Sequence, residues 1–143
     1  SAVDINLKGN TKEEILKELV GLLVRSGQLA SEMRGEILKN LLEREATMST
    51  GMQDGIAVPH VKTDAVEDMI TAFGVKKEGA EFSSFDKKPS NIFIITIVPK
   101  SSPQPYLQYM AEISKSLISE ERRNAILSCK TSRELHGLLV SNA

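Results

Sequence analysis

The chain has 143 residues, 41% of them hydrophobic, enough for one continuous core and consistent with one domain over residues 1–143. Formal net charge is −1, and the basic pairs (Lys76-Lys77, Lys87-Lys88, Arg122-Arg123) are short, interspersed with acids and expected as solvated corners, so no nucleic-acid partner is expected. A lone Cys129 leaves no internal disulfide framework, and the longest apolar run is too short for a bilayer, so the expectation is a cytoplasmic protein without direct membrane insertion.

Thr11 followed by Glu14 is a capping box, and Ile15, Leu16, Leu19, Leu22 and Leu23 repeat at helical spacing behind it, up to Gly27. Met33, Ile37, Leu38, Leu41 and Leu42 predict a second helix, which runs into Glu43-Arg44-Glu45. Residues 47–55 hold two glycines without periodicity and read as a loop. Residues 56–58 read as a short strand stopped by Pro59, which has no N–H for a sheet ladder. Residues 69–75 predict a further strand, and residues 79–90 a turn-rich connection. The run IFIITIV (92–98), apolar and β-branched throughout, is expected as a central strand covered on both faces. After the loop PKSSPQP, Leu107, Met110, Ala111, Ser114, Leu117 and Ile118 give one face of a helix. Ser119 caps a short helix through Leu127, and Thr131 with Glu134 opens a last one through Val140. The order argues for an α/β fold, a single mixed β-sheet sandwiched between helices.

His60 is the leading candidate for chemistry. It follows a Pro-terminated strand, where α/β folds place ligand crevices. Ser49, Thr50, Gly51 and Gly55 give a backbone whose N–H groups could face an anion, and Arg44 offers a planar fork suited to phosphate. A neutral imidazole is a competent nucleophile toward phosphorus. The alternative is a surface histidine beside a turn. Cys129 and His136 share no helical face and are expected to pack. Two histidines and one cysteine, widely spread, offer no metal site, and no Walker or dinucleotide fingerprint implies a cofactor. Met48 and Met52, with Asp54, Asp64, Glu67 and Asp68 nearby in sequence, suggest a partner-docking patch, unless one or both methionines fill the core.

The run LLEREATMSTGMQDGIAVPH (41–60) resembles the active-site signature of enzyme IIA domains of the bacterial phosphotransferase system, fructose/mannitol and nitrogen-regulatory type. The similarity continues through FSSFDKKP (82–89), Val98-Pro99 and TSRELHGLL (131–139). The resemblance implies a mixed sheet flanked by helices and a phosphoryl group accepted by His60 from an HPr-like phosphocarrier protein. Arg44 would neutralise the phosphoryl oxygens, while Ser49, Thr50 and Gly51 line the site. The group would pass to a IIB domain and on to sugar, or its presence would be read by a regulatory target protein. One position departs from the family pattern. Where the family commonly has a second histidine, this chain has Tyr106, whose hydroxyl donates a hydrogen bond but carries no positive charge. That departure leaves open a second reading, an interaction module that binds partner proteins without phosphoryl transfer. Hydrolysis with His60 as general base lacks a nucleophile or metal.

Overall fold

The computed structural model describes residues 2–84 and 86–140, with Val140 in its backbone only; Phe85, inside the FSSFDKKP match, lies outside the described residues. In chain order the elements are β1 (Ala2–Asp4), α1 (Lys12–Arg25), α2 (Arg34–Thr47), β2 (Ile56–Ala57), β3 (His60–Thr63), β4 (Ile70–Ala80) and β5 (Ser90–Pro99). Helices α3 (Gln104–Leu117), α4 (Glu120–Leu127) and α5 (Ser132–Val140) follow, and a single 3-10 turn (Ser31–Met33) leads into α2. The Thr11 capping box forms in full, whereas at Thr131 only the hydroxyl half forms and the Glu134 carboxylate accepts from the Lys130 N–H instead. Glu14 N–H donates to the Thr11 hydroxyl while the Glu14 carboxylate accepts from the Thr11 backbone, and Glu134 N–H donates to Thr131.

The sheet is mixed, in the order β1-β4-β5-β2, with β3 also on β5; β1 runs parallel to β4, β4 antiparallel to β5, and β2 and β3 parallel to β5. Side chains alternate between its faces. Phe93, Ile95 and Ile97 enter the core under α1 and α2, whereas Ile92 and Ile94 meet Leu117, Ile126 and Leu135 of α3, α4 and α5. Strand β5 is buried on both sides except at Asn91, as its unbroken apolar run requires. This is the α/β sandwich expected of the sequence.

Four expectations are corrected. Pro59 interrupts a strand instead of ending it. Ile56 pairs with Ile92, Ala57 with Phe93 and His60 with Thr96, so β2 and β3 keep one register along β5; the ladder lacks the N–H that Pro59 cannot supply, while the Pro59 carbonyl still accepts from Thr96 N–H at 3.0 Å. Val58 N–H faces the other edge and donates to the Thr50 carbonyl, at 3.0 Å. Second, residues 50–58 form a hairpin: Gly51 bridges Ala57, and Asp54 (φ 62°) with Gly55 (φ 78°) makes the mirror-image turn that Asp-Gly favours. Third, α3 buries the wrong residues for the expected stripe. Leu107 and Ile118 are 66% and 80% exposed, while Tyr109 and Ile113 pack on the core with Leu117. Fourth, the basic pairs are not all solvated. Lys76 is buried and donates to the Lys8 carbonyl, and Arg123 caps α3 through the Leu117 and Ile118 carbonyls at 2.7 and 3.0 Å.

Candidate functional site

His60 opens β3 beside Thr96. Because Val61 packs on the core under α1 and α2, alternation turns His60 to the other face, toward α3. There its ring stacks on Tyr106, with centroids 5.1 Å apart and planes at 28°. The ring is half-buried, so neither sealed in the core nor free to tumble. Its Nδ1 lies 2.9 Å from the Val58 carbonyl oxygen. A carbonyl only accepts, so Nδ1 carries the hydrogen and the lone pair of the neutral ring sits on Nε2.

Tyr106 is also half-buried. Burial pushes its phenol above the ordinary tyrosine value, and the nearby Arg44 guanidinium partly opposes the rise. Tyr106 therefore stays a neutral hydroxyl donor at physiological pH. Arg44 comes from the last turn of α2, where one arm of its fork donates to the Met48 carbonyl at 3.1 Å. Among the described residues no carboxylate forms an ion pair with it. A cleft of about 650 Å³ opens beside Arg44, lined by Thr47, Lys62, Thr63, Asp64 and Lys100 among others.

The loop expected to face an anion is arranged differently. Thr50 N–H donates to the Glu45 carboxylate, Gly51 N–H to the Ser49 hydroxyl and Met52 N–H to the Ile56 carbonyl, so these donors are occupied within the fold. Thr50 is buried, its hydroxyl bonded to Glu45, and Ser49 Oγ donates to the Phe82 carbonyl at 2.7 Å. Gly51 is required by space. A Cβ there would stand 2.7 Å from the Phe82 carbonyl oxygen and 2.8 Å from Ser84 Cα.

Met48 and Met52 are exposed and do not fill the core. Two of the acids named near them are in ion-pair range of cations, Asp54 with Arg123 and Asp64 with Lys100, each at 3.9 Å. Cys129 is buried, and burial raises its thiol above the ordinary value, which keeps it protonated and unreactive. His136 lies on α5 at a separate cavity of about 910 Å³, away from His60.

Sequence reasoning missed three participants. Lys12, from α1, reaches 3.0 Å from Glu45 and lies 4.9 Å over the Phe82 ring. Glu45 is buried on the same stripe as Ile37 and Leu41. Thr96, the cross-strand neighbour of His60, is 1% exposed with a hydroxyl unpartnered among the described residues. The signal for Glu45 was its spacing, four residues after Leu41.

Residues 1–142 match the family model for the phosphoenolpyruvate-dependent sugar phosphotransferase system, EIIA 2. The chain belongs to that family. Its relatives fall on both sides of the family's work, transport and regulation. It is 34% identical over 130 residues to the fructose-specific EIIA component of Haloferax volcanii, covering 91% of this chain and 83% of that one. Over 136 residues it is 26% identical to a nitrogen regulatory protein of Pseudomonas aeruginosa, covering 95% and 87% of the two chains. The fold matches the nitrogen regulatory protein IIA-Ntr of Neisseria meningitidis with a TM-score of 0.86 at 22% identity, over 96% of this chain and 92% of that one. It also matches IIA mannitol of Escherichia coli with a TM-score of 0.78 at 22% identity, over 96% and 95%. Membership gives this IIA domain a phosphocarrier or regulatory role. No helix among its described residues is long and apolar enough to cross a membrane.

Proposed function

We propose that His60 accepts a phosphoryl group on Nε2 from an HPr-like phosphocarrier. The group then passes to a IIB-type domain, or its presence is read by a regulatory target. One observation carries this reading: the Val58 carbonyl engages Nδ1, leaving the Nε2 lone pair on a half-exposed ring stacked on Tyr106, whose phenol feels the charge of Arg44. In the transfer, Nε2 forms a bond to phosphorus as the bond from phosphorus to the donor's nitrogen breaks, and that nitrogen leaves with the electron pair. Such a transfer asks the protein for alignment and charge stabilisation more than for covalent machinery. Arg44 supplies the charge and Tyr106 a hydrogen bond to a phosphoryl oxygen. The IIB partner is supported by the IIA mannitol of E. coli, whose fold this chain shares and which has been solved in complex with phosphorylated IIB mannitol.

Met48 and Met52 form the docking face in this proposal, since both are exposed next to the helix end that bears Arg44. The test is incubation with HPr, enzyme I and phosphoenolpyruvate. The expected result is an acid-labile phosphate that His60→Ala abolishes; an unlabelled wild type would refute the proposal. A second reading, binding without transfer, is favoured by Tyr106 standing where the family pattern has a histidine. It prevails if HPr fails to bind while another cytoplasmic protein does.

A further inference from the structure

Glu45 presents an energetic puzzle. Its side chain is 2% exposed, and its carboxylate collects the Lys12 ammonium at 3.0 Å, the Thr50 N–H at 3.0 Å and the Thr50 hydroxyl. A buried ion pair is weak evidence of stabilisation, because well-packed apolar residues of the same volume often serve as well or better. The stripe that Glu45 extends is otherwise apolar, with Ile37 and Leu41 fully covered. A third aliphatic residue would continue it. What the carboxylate does that an aliphatic side chain cannot is fix a peptide group by two contacts at once.

The fixed peptide leads to the histidine. Thr50, held by Glu45 through both N–H and hydroxyl, accepts the Val58 N–H on its carbonyl at 3.0 Å. The Val58 carbonyl in turn accepts the His60 Nδ1 hydrogen at 2.9 Å. Val58 is free to make this connection because its N–H and C=O point away from β5, toward the hairpin edge where Gly51 bridges Ala57, while the Pro59 carbonyl keeps the chain on β5 by accepting from Thr96 N–H at 3.0 Å. Glu45 also follows Arg44 in sequence, so the same anchored turn of α2 carries the guanidinium. Both chemical groups hang from one buried carboxylate.

We propose that Glu45 is a positioning residue for His60, acting through Thr50 and Val58 to aim the carbonyl that holds the ring with its hydrogen on Nδ1 and its lone pair on Nε2. The proposal deepens the reading of His60 as the phosphoryl acceptor and rests on it for its functional consequence. Lys12 compensates the buried charge and, by donating to Ser49 Oγ at 3.3 Å, extends the same brace to α1. A carboxylate that merely tied α2 to the hairpin would affect melting alone. One that positions the ring affects the ring's tautomer as well.

Glu45→Gln separates these roles. The amide keeps the shape but loses the charge and replaces one acceptor oxygen with an NH2 donor, so the Thr50 hydroxyl must give up donating and the two-point grip on Thr50 and the pairing with Lys12 are weakened. Ile37→Val, on the same buried stripe, serves as a control that loosens packing without touching the carboxylate. Long-range 1H–15N spectra of the His60 ring report the tautomer, and single-turnover transfer from phosphorylated HPr reports function. The expected result is that Glu45→Gln moves a measurable fraction of the ring hydrogen to Nε2 and slows transfer about tenfold or more, as a displaced reacting group does. Ile37→Val should lower the melting temperature and change neither. If Glu45→Gln does not fold, Thr50→Val, which removes only the hydroxyl contact, is expected to show the same shift in smaller measure. A wild-type ring spectrum in the folded variant, or an equal shift in Ile37→Val, would overturn the proposal. A wild-type protein that takes no phosphoryl group would refute the acceptor reading instead, and the ring spectrum would still decide whether Glu45 positions His60.

Discussion

Tyr106 offers two functions that one pair of substitutions can separate. Its ring stacks on His60 and its hydroxyl makes no hydrogen bond to any described residue, so the hydroxyl is free for a phosphoryl oxygen. Tyr106→Phe keeps the stack and removes only the hydroxyl. Because a hydrogen bond to a charged group is worth about 1.5–3 kcal/mol and this site is half-exposed, the lower end applies. If the bond strengthens in the transition state, that is a loss of roughly tenfold in the transfer rate. Stability should hardly move, since no protein partner is orphaned. Tyr106→Ala also removes about half of a tyrosine's buried area, roughly 100 Å², which at ~25 cal/mol per Å² costs about 2–3 kcal/mol. For a chain of this length that lowers the melting temperature by roughly 6–12 °C. The assay is quench-flow transfer from phosphorylated HPr, alongside thermal melting of the same samples. Full wild-type transfer in Tyr106→Phe would refute the assignment of the hydroxyl to phosphate. Unchanged melting in Tyr106→Ala would refute the stack.

Arg44→Lys keeps the charge but loses the fork that spans the Met48 carbonyl and the site, so transfer should fall about tenfold to a hundredfold with little change in melting; an unchanged rate would show that charge alone suffices. Gly51→Ala forces the hairpin away from the backbone of Phe82 and Ser84, and should cost about 1–3 kcal/mol in a denaturant titration. A neutral result there would contradict the close approach. Burial raises Tyr106, Tyr109 and Cys129 above their ordinary values, so between those values and the folded ones the native state keeps protons that the unfolded chain releases. Their stabilising contribution is full below about pH 9 and declines as pH rises, and the melting temperature should fall on the alkaline side less steeply in Tyr109→Phe. A melting temperature that climbs with alkalinity would invert the sign.

Much of the architecture is legible in local chemistry. The helix starts at Thr11 and Thr131 and the unbroken run of β5 each admit one reading, because every local preference agrees. Elsewhere tertiary context decides. β1 has three residues and no turn signal, and it exists because β4 offers it an edge. Spacing of aliphatic residues does not mark the covered face of α3, because a tyrosine can bury its ring and keep its hydroxyl partnered. Tyr109 does so at Thr71, while Leu107 is left in solvent. Asp54-Gly55 was the available hairpin signal, hidden by the short ladder on either side. At the site, the motif from Arg44 to His60 stood out, but the parts that hold it did not. Glu45 and Lys12 are charged residues whose importance lies in being buried together, and a sequence carries no direct mark of that. Thr50 and Gly51 were placed in the right loop with the wrong orientation, because free N–H groups can be counted only once the hairpin is known.

The most direct measurement is the phosphorylation site itself, read at the level of the ring nitrogen. After reaction with phosphoenolpyruvate, enzyme I and HPr, 15N and 31P spectra of the ring-labelled protein should show one phosphohistidine, at His60, with phosphorus on Nε2 and hydrogen retained on Nδ1. Phosphorus on Nδ1, or on any residue other than His60, would contradict the account.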